Sequence, residues 1–148
     1  MRGMEPRIHV ITLAVSDLER AVTFYRDGLG LQTPGVIGTE FVDHETGASG
    51  TAAMFDLHGG LILALYPDLE KDAGIPPAAQ SGGFSLGHVV PSKADVDALL
   101  AQAEEAGATL IGKPYERPWG IYSGFFRDLD SHLWEVIWNP RLDRADGV

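Results

Sequence analysis

The stretch His132 to Asn139 reads HLWEVIWN, with a single carboxylate, Glu135, among large apolar residues. A carboxylate in such surroundings can serve as a general base or as the polar anchor of a bound molecule. It can equally be one half of a charge pair, with Arg117, Arg127 or a tyrosine as its partner. His88 follows Gly87 in another apolar stretch. An imidazole there offers a metal ligand or a proton carrier, although a packing histidine is the commoner outcome. His44 and His58 lie in loop-like segments and read as solvated. Trp119 sits between Pro118 and Gly120. A loop indole suits a lid over a ligand or a contact with a second chain.

Thiol chemistry is excluded, because the chain has no cysteine. That removes disulfide frameworks, Cys-ligated zinc and iron–sulfur clusters. The 148 residues carry 11 Lys and Arg against 21 Asp and Glu, a formal charge of −10. So acidic a surface repels phosphate backbones and anionic lipid headgroups, so no nucleic acid and no membrane is expected as a partner. No apolar run approaches the roughly 20 residues of a membrane span, and Met1 to Pro6 lacks the apolar block of a secretion signal. A cytoplasmic location is the simple expectation.

The elements that must position these groups follow from periodicity. Arg7 to Val15 is rich in β-branched residues and predicts a strand. Ser16 or Asp17 caps a helix, Asp17 to Gly28, with Leu18, Ala21, Val22 and Tyr25 at helical spacing. Thr33 to Gly50 predicts a short strand and a loop. Thr51 to Leu57 and Leu61 to Tyr66 form a hairpin across Gly59-Gly60. Pro67 to Gly83, rich in Pro and Gly, reads as a linker.

The pattern then begins again. Phe84 to Val90 is a strand. Ser92, with Asp95 three residues on, caps a helix over 93–106 that carries Val96, Leu99, Leu100 and Ala103. Ala108 to Ile111 is a strand and Gly112 to Gly120 a loop. Ile121 to Arg127 and His132 to Asn139 pair across Asp128-Leu129-Asp130-Ser131. The order is strand, helix and three strands, twice over, which is an α+β fold of two βαβββ modules. Module 7–66 and module 84–139 make one domain, 7–140, with linker 67–83 and a loose tail, 141–148. Two such modules can curl their sheets into a shared trough.

The opening HVITLAVSDLERAVTFYRDGLGL and the closing FFRDLDSHLWEVIWNP resemble the vicinal oxygen chelate superfamily, also called the glyoxalase / bleomycin-resistance / dioxygenase superfamily. The family's closing turn is usually Asp-Pro-Asp-Gly. The resemblance covers Arg7 to Pro140 and implies the same two-module trough, the glyoxalase/bleomycin-resistance/dihydroxybiphenyl dioxygenase fold. Its members include isomerases, dioxygenases, epimerases, thiol transferases and proteins that sequester drugs, so fold alone does not choose a function.

The resemblance also implies a divalent metal held by four side chains, one from the first and one from the last strand of each module. Carried over, the first position is Val10, seven residues before Asp17. The second is Ala64 and the fourth is Glu135, five residues after Asp130. The third is Ser85 or, by ungapped counting, His88. Val10 and Ala64 offer no donor, and stable sites use at least three protein ligands. No metal cofactor is therefore expected, the alternative being a weakly held divalent ion.

Alternation along the strands groups Val10 and Thr12, Ala64 and Tyr66, Ser85 and Glu135 toward the trough. Pairing 124 against 135 adds Tyr122 and Phe126. With Trp119 and His88 these are the candidate ligand-binding residues, and Glu135 is the candidate catalytic residue. The expected function is binding of a small molecule in a mostly apolar trough. The alternative is a lyase or isomerase with Glu135 as base and a metal through His88. A homodimer is expected, because relatives pair and the Trp-bearing loop needs cover.

Overall fold

The computed structural model describes residues 3–77 and 82–141. Residues 78–81 of the expected linker, and the expected tail beyond Arg141, lie outside the described residues. The chain divides into two compact units, Met1–Arg26 with Leu31–Pro77 and Asp27–Gly30 with Ala78–Val148.

In the first unit, β1 (Val10–Ala14) leads to α1 (Leu18–Val22). The Asp17 side chain accepts a hydrogen bond from the Arg20 amide, which satisfies one orphan donor of the helix start. Leu18, Ala21, Val22 and Tyr25 fall on one face and are buried. From Thr23 to Gly28 the helix widens into a π-helical stretch, which continues the expected helix. Then come β2 (Val36–Ile37), β3 (Ala52–Asp56) and β4 (Ile62–Tyr66). A short helix, α2 (Leu69–Ala73), closes with Gly74 in the left-handed conformation, φ 74°. This helix falls where a plain linker was expected, because five residues are too few for an apolar stripe to show in the sequence.

The strand order is β1-β4-β3-β2, with β1 parallel to β4. Leu13, Leu63, Leu65, Ala53 and Phe55 point to one face and are buried there, where α1 packs on β3 and β4. Tyr25 meets Phe24 and Phe55 edge-on at 4.9 and 6.2 Å. Each such side chain taken from water contributes about 1.5–3 kcal/mol.

The second unit repeats the plan. It holds β5 (Leu86–Val89), α3 (Lys93–Glu105), β6 (Thr109–Glu116), β7 (Tyr122–Arg127) and β8 (Leu133–Trp138), in the order β5-β8-β7-β6. Again the first strand runs parallel to the last. Ser92 caps α3 by accepting from the Asp95 amide, and its hydroxyl donates to the Asp95 carboxylate at 2.7 Å. Val96, Leu100 and Ala103 form the buried stripe of α3, which packs on β6, β7 and β8. Each unit is thus a four-stranded mixed sheet with a helix on one face, the α+β, two-module βαβββ fold that the repeat predicts.

Two expectations change here. The strand β6 runs on to Glu116 through a bulge between Ile111 and Tyr115, where a loop was expected. The bulge absorbs Gly112 to Pro114, and pairing with β7 resumes beyond it. The final hairpin also has a different register: Phe125, and not Gly124, stands opposite Glu135. Its loop is five residues, 128–132, not four. The Asp128 carboxylate accepts from the amides of Asp130 and His132, and the His132 carbonyl accepts from the Asp128 amide. Ser131 takes φ 69° in the place where the turn Asp-Pro-Asp-Gly has its glycine. An odd loop shifts the pairing by one residue, and so reverses which face of β7 shares a side with Glu135. Among the described residues no helix is long and apolar enough to cross a membrane.

Candidate functional site

The face of the second sheet turned away from α3 carries the chemistry. On β8 it presents Leu133, Glu135 and Ile137, and the register brings Ser123, Phe125 and Arg127 from β7 alongside them. On β5 it adds Gly87, directly opposite Glu135, and Val89. Gly87 is exposed and has no side chain to screen Glu135, and a Cβ there would stand 3.3 Å from Ile137 Cδ1.

A polar chain runs across this face. The Ser123 hydroxyl, fully buried, donates to Glu135 Oε2 at 2.8 Å. It accepts from Arg117 Nε at 2.5 Å, and Arg117 Nη2 reaches the Ser123 carbonyl at 3.4 Å. Arg117 Nη1 donates to the Tyr115 hydroxyl at 2.6 Å. The guanidinium lies over the Tyr115 ring at 4.1 Å and the Phe125 ring at 5.3 Å. Cation–π attraction to the two rings therefore adds to the hydrogen bonds. Arg117 is the partner of Glu135 by way of Ser123, while Arg127 bonds the Ser131 carbonyl at 2.7 Å.

Several expected site residues lie elsewhere. Tyr122 and Phe126 are on the α3 face, opposite to Glu135, and this corrects their expected place beside it. The Tyr122 hydroxyl donates to Asp97 on α3 at 2.8 Å. That hydrogen bond, with burial and the carboxylates of Asp97 and Glu116, raises its pKa above the usual 10.0. Phe126 is buried and stacks on Trp134 at 6.1 Å. Trp134 and Trp138 belong to the same face, as expected of packing residues. Lys93 reaches over the Tyr122 and Trp138 rings at 5.9 and 5.4 Å and pairs with Glu116.

His88 pairs with Val136 and so also faces α3, not Glu135. It borders a shallow open depression beside Pro91, Asp95 and Leu99. Desolvation lowers its pKa below the ordinary 6.5, which favours the neutral ring. Ser85 precedes β5 and is exposed. In the first sheet, Thr12 pairs with Ala64 and Ala14 with Tyr66, and Val10 stands two residues along on the same side. Val10, Thr12, Ala64 and Tyr66 therefore share the face opposite to Leu13, Leu63 and Leu65, and Ala64 is buried there. Burial, followed by the nearby Asp72, Asp68 and Asp43, raises the Tyr66 pKa.

Trp119 stands at the tip of the Pro118–Gly120 turn with 78% of its surface exposed and φ 73°. The His58–Gly60 turn has the same form, and there the left-handed position is Gly59, φ 79°. Both turns are closed by a hydrogen bond from the residue before to the carbonyl of the residue after, Leu57 to Leu61 and Arg117 to Ile121.

The sequence resemblance now has its structural counterpart in two like-ordered modules with Glu135 on the open face of the last strand. The model of the Glyoxalase/Bleomycin resistance protein/Dioxygenase superfamily matches residues 7–136. The chain belongs to this superfamily. Among solved structures of superfamily type, it is similar to a glyoxalase-related enzyme from Fulvimarina pelagi, with 27% identity and TM-score 0.78 over 97% of this chain and 96% of that one. It is also similar to a lactoylglutathione lyase from Agrobacterium tumefaciens, with 25% identity and TM-score 0.60 over 91% and 95%. A hypothetical protein from S. aureus shares the fold, with 20% identity and TM-score 0.71 over 92% and 95%. No curated protein matches the chain.

The residues present do not fit the divalent metal that superfamily membership implies. Val10 and Ala64 end in hydrocarbon, His88 lies on the wrong face for Glu135, and Glu135 Oε2 already takes the Ser123 proton. Among the described residues no three His, Asp or Glu side chains gather as a ligand set. The residues that sequence reasoning missed are Ser123, Phe125 and Tyr115. The signal was Ser131 in the glycine place of the turn, which marks a left-handed residue and hence the five-residue loop.

Proposed function

We propose that this superfamily member binds a small, largely apolar molecule, with Glu135 as its polar anchor and without the superfamily's metal. The observation that carries the reading is the Arg117–Ser123–Glu135 chain of hydrogen bonds on a face that also presents Leu133, Ile137, Val89 and Phe125, with Arg127 at its end. A few fixed polar groups among apolar walls are the usual make-up of a ligand site. Within the first module taken by itself, Val10, Thr12, Ala64 and Tyr66 share one face of the sheet and are candidate contacts there, and within the second module Trp119 is a candidate contact at its turn.

A fragment screen followed by heteronuclear NMR tests this. Aromatic fragments are expected to shift the amide signals of Gly87, Phe125 and Glu135 and to leave those along α3 unmoved. Shifts confined to the α3 side would overturn the reading.

The likeness to the lactoylglutathione lyase favours a second reading, a lyase or isomerase in which Glu135 is the base. His88 faces away from Glu135, so a metal shared by the two gains no support. Turnover of a hemithioacetal by the purified protein, lost in Glu135→Gln, would select this reading over plain binding.

A further inference from the structure

The hydrogen bonds around Glu135 have a fixed direction. A guanidinium has donors only, so Ser123 Oγ must accept from Arg117 Nε. The single serine proton is then left for Glu135 Oε2, 2.8 Å away. Ser123 is fully buried, so its hydroxyl has no water to turn toward. The chain of donors therefore runs one way and ends on a carboxylate whose other oxygen, Oε1, can again only accept. Beside it stands Gly87, exposed and without a side chain, which leaves the approach open.

From this we infer that Glu135 recognises a neutral hydroxyl, phenolic or alcoholic, carried on an apolar body. The inference rests on the small-molecule reading above and names the ligand's polar group. A ligand carboxylate or carbonyl brings no proton to Oε1, and a carboxylate would meet like charge. An ammonium gains little, because Arg117 already balances the Glu135 charge through Ser123. A hydroxyl completes the carboxylate's hydrogen bonding at no cost in charge.

The test uses three probes with one body: a naphthol, the matching methoxynaphthalene and the matching naphthoate, titrated by NMR into the full chain. The naphthol is expected to bind about tenfold more tightly than the methoxynaphthalene, the worth of one hydrogen bond to a charged acceptor. The naphthoate is expected to bind most weakly. In Glu135→Gln the amide oxygen takes the Ser123 proton and turns the amide NH2 toward the ligand. The preference should then reverse, with naphthoate above naphthol.

A naphthol that binds no better than the methoxynaphthalene would overturn the hydroxyl assignment while leaving the apolar site standing. So would a naphthoate that stays weakest in Glu135→Gln. Failure of all three probes to shift signals of β7 and β8 would overturn both this inference and the binding reading. The wild-type comparison of naphthol with methoxynaphthalene stands without the variant.

Discussion

Ser123 donates to Glu135 across neighbouring strands, and the serine is fully buried while the glutamate is partly open. The arrangement makes Ser123 a hub, since it is both the acceptor for Arg117 and the donor to Glu135.

Removing that hub should be costly. Ser123→Ala leaves the Arg117 Nε proton and Glu135 Oε2 without their common partner and should destabilise the fold by about 1–3 kcal/mol. Urea denaturation measures it. Glu135→Gln keeps an acceptor for the serine proton and should cost less. Equal losses in the two variants would mean that the hydrogen-bond chain does not hold in solution.

Metal should contribute nothing to stability. After dialysis against a chelator, elemental analysis should find no stoichiometric zinc, nickel, iron or manganese, and the melting temperature should not move. Val10 and Ala64 are the reason, because two of the four superfamily positions have no donor atom. A tightly held ion with Glu135 in its coordination shell would reverse this expectation and favour the lyase reading.

His88 should give the fold a pH dependence of definite sign. Its folded-state pKa lies below the ordinary 6.5 through desolvation. The unfolded chain therefore binds the proton more readily, and stability rises with pH across the window between the two values. The contribution is fully present above about pH 6.5 and is lost as the pH falls through the folded value. His88→Gln should flatten the slope below pH 6.5, read from denaturation midpoints at several pH values. An NMR titration of His88 with its midpoint at or above 6.5 would refute the assignment.

Trp119 occupies a backbone conformation that costs a residue with a Cβ roughly 1–2 kcal/mol, and its indole has 78% of its surface exposed. Gly59 fills the equivalent place in the like-formed turn without strain. Trp119→Gly should therefore raise the melting temperature or leave it unchanged, and weaken binding of the aromatic probes. A clear loss of stability would instead show that the indole is covered in solution. Sedimentation at micromolar concentration then tells whether a homodimer covers it, and the variant would shift that equilibrium toward monomer.

Tyr122→Phe separates the two faces of the second sheet. It removes the hydrogen bond to Asp97 and should cost about 0.5–1.5 kcal/mol, while probe binding near Glu135 stays as in the wild type. A drop in probe affinity equal to that of Glu135→Gln would place Tyr122 at the site after all.

The fold was legible in the sequence because its signals are local and repeated. Asp17 and Ser92 cap their helices as their types suggest, and the apolar spacing from Leu18 to Tyr25 and from Val96 to Ala103 marks the buried faces. The shared face of Val10, Thr12, Ala64 and Tyr66 also follows from alternation, because β1 and β4 are regular and pair without slip. The α3 side of β5 was harder, since one shift in the count exchanges Ser85 for His88. Pairing of His88 with Val136 decides it.

The partners of Glu135 were not legible, and the reason is a single residue of loop. A four-residue turn and a five-residue turn differ little in composition, yet the strand period of two makes them opposite in outcome. The Asp128 carboxylate, gathering the amides of Asp130 and His132, selects five. That choice sends Tyr122 and Phe126 under α3 and brings Ser123, with Arg117 behind it, to the carboxylate. Sequence alone determined the two modules, their order and the carboxylate on the last strand. Only the tertiary pairing decided what that carboxylate touches, because side-chain neighbours across a sheet depend on register, and register is a property of the closed loop rather than of either strand.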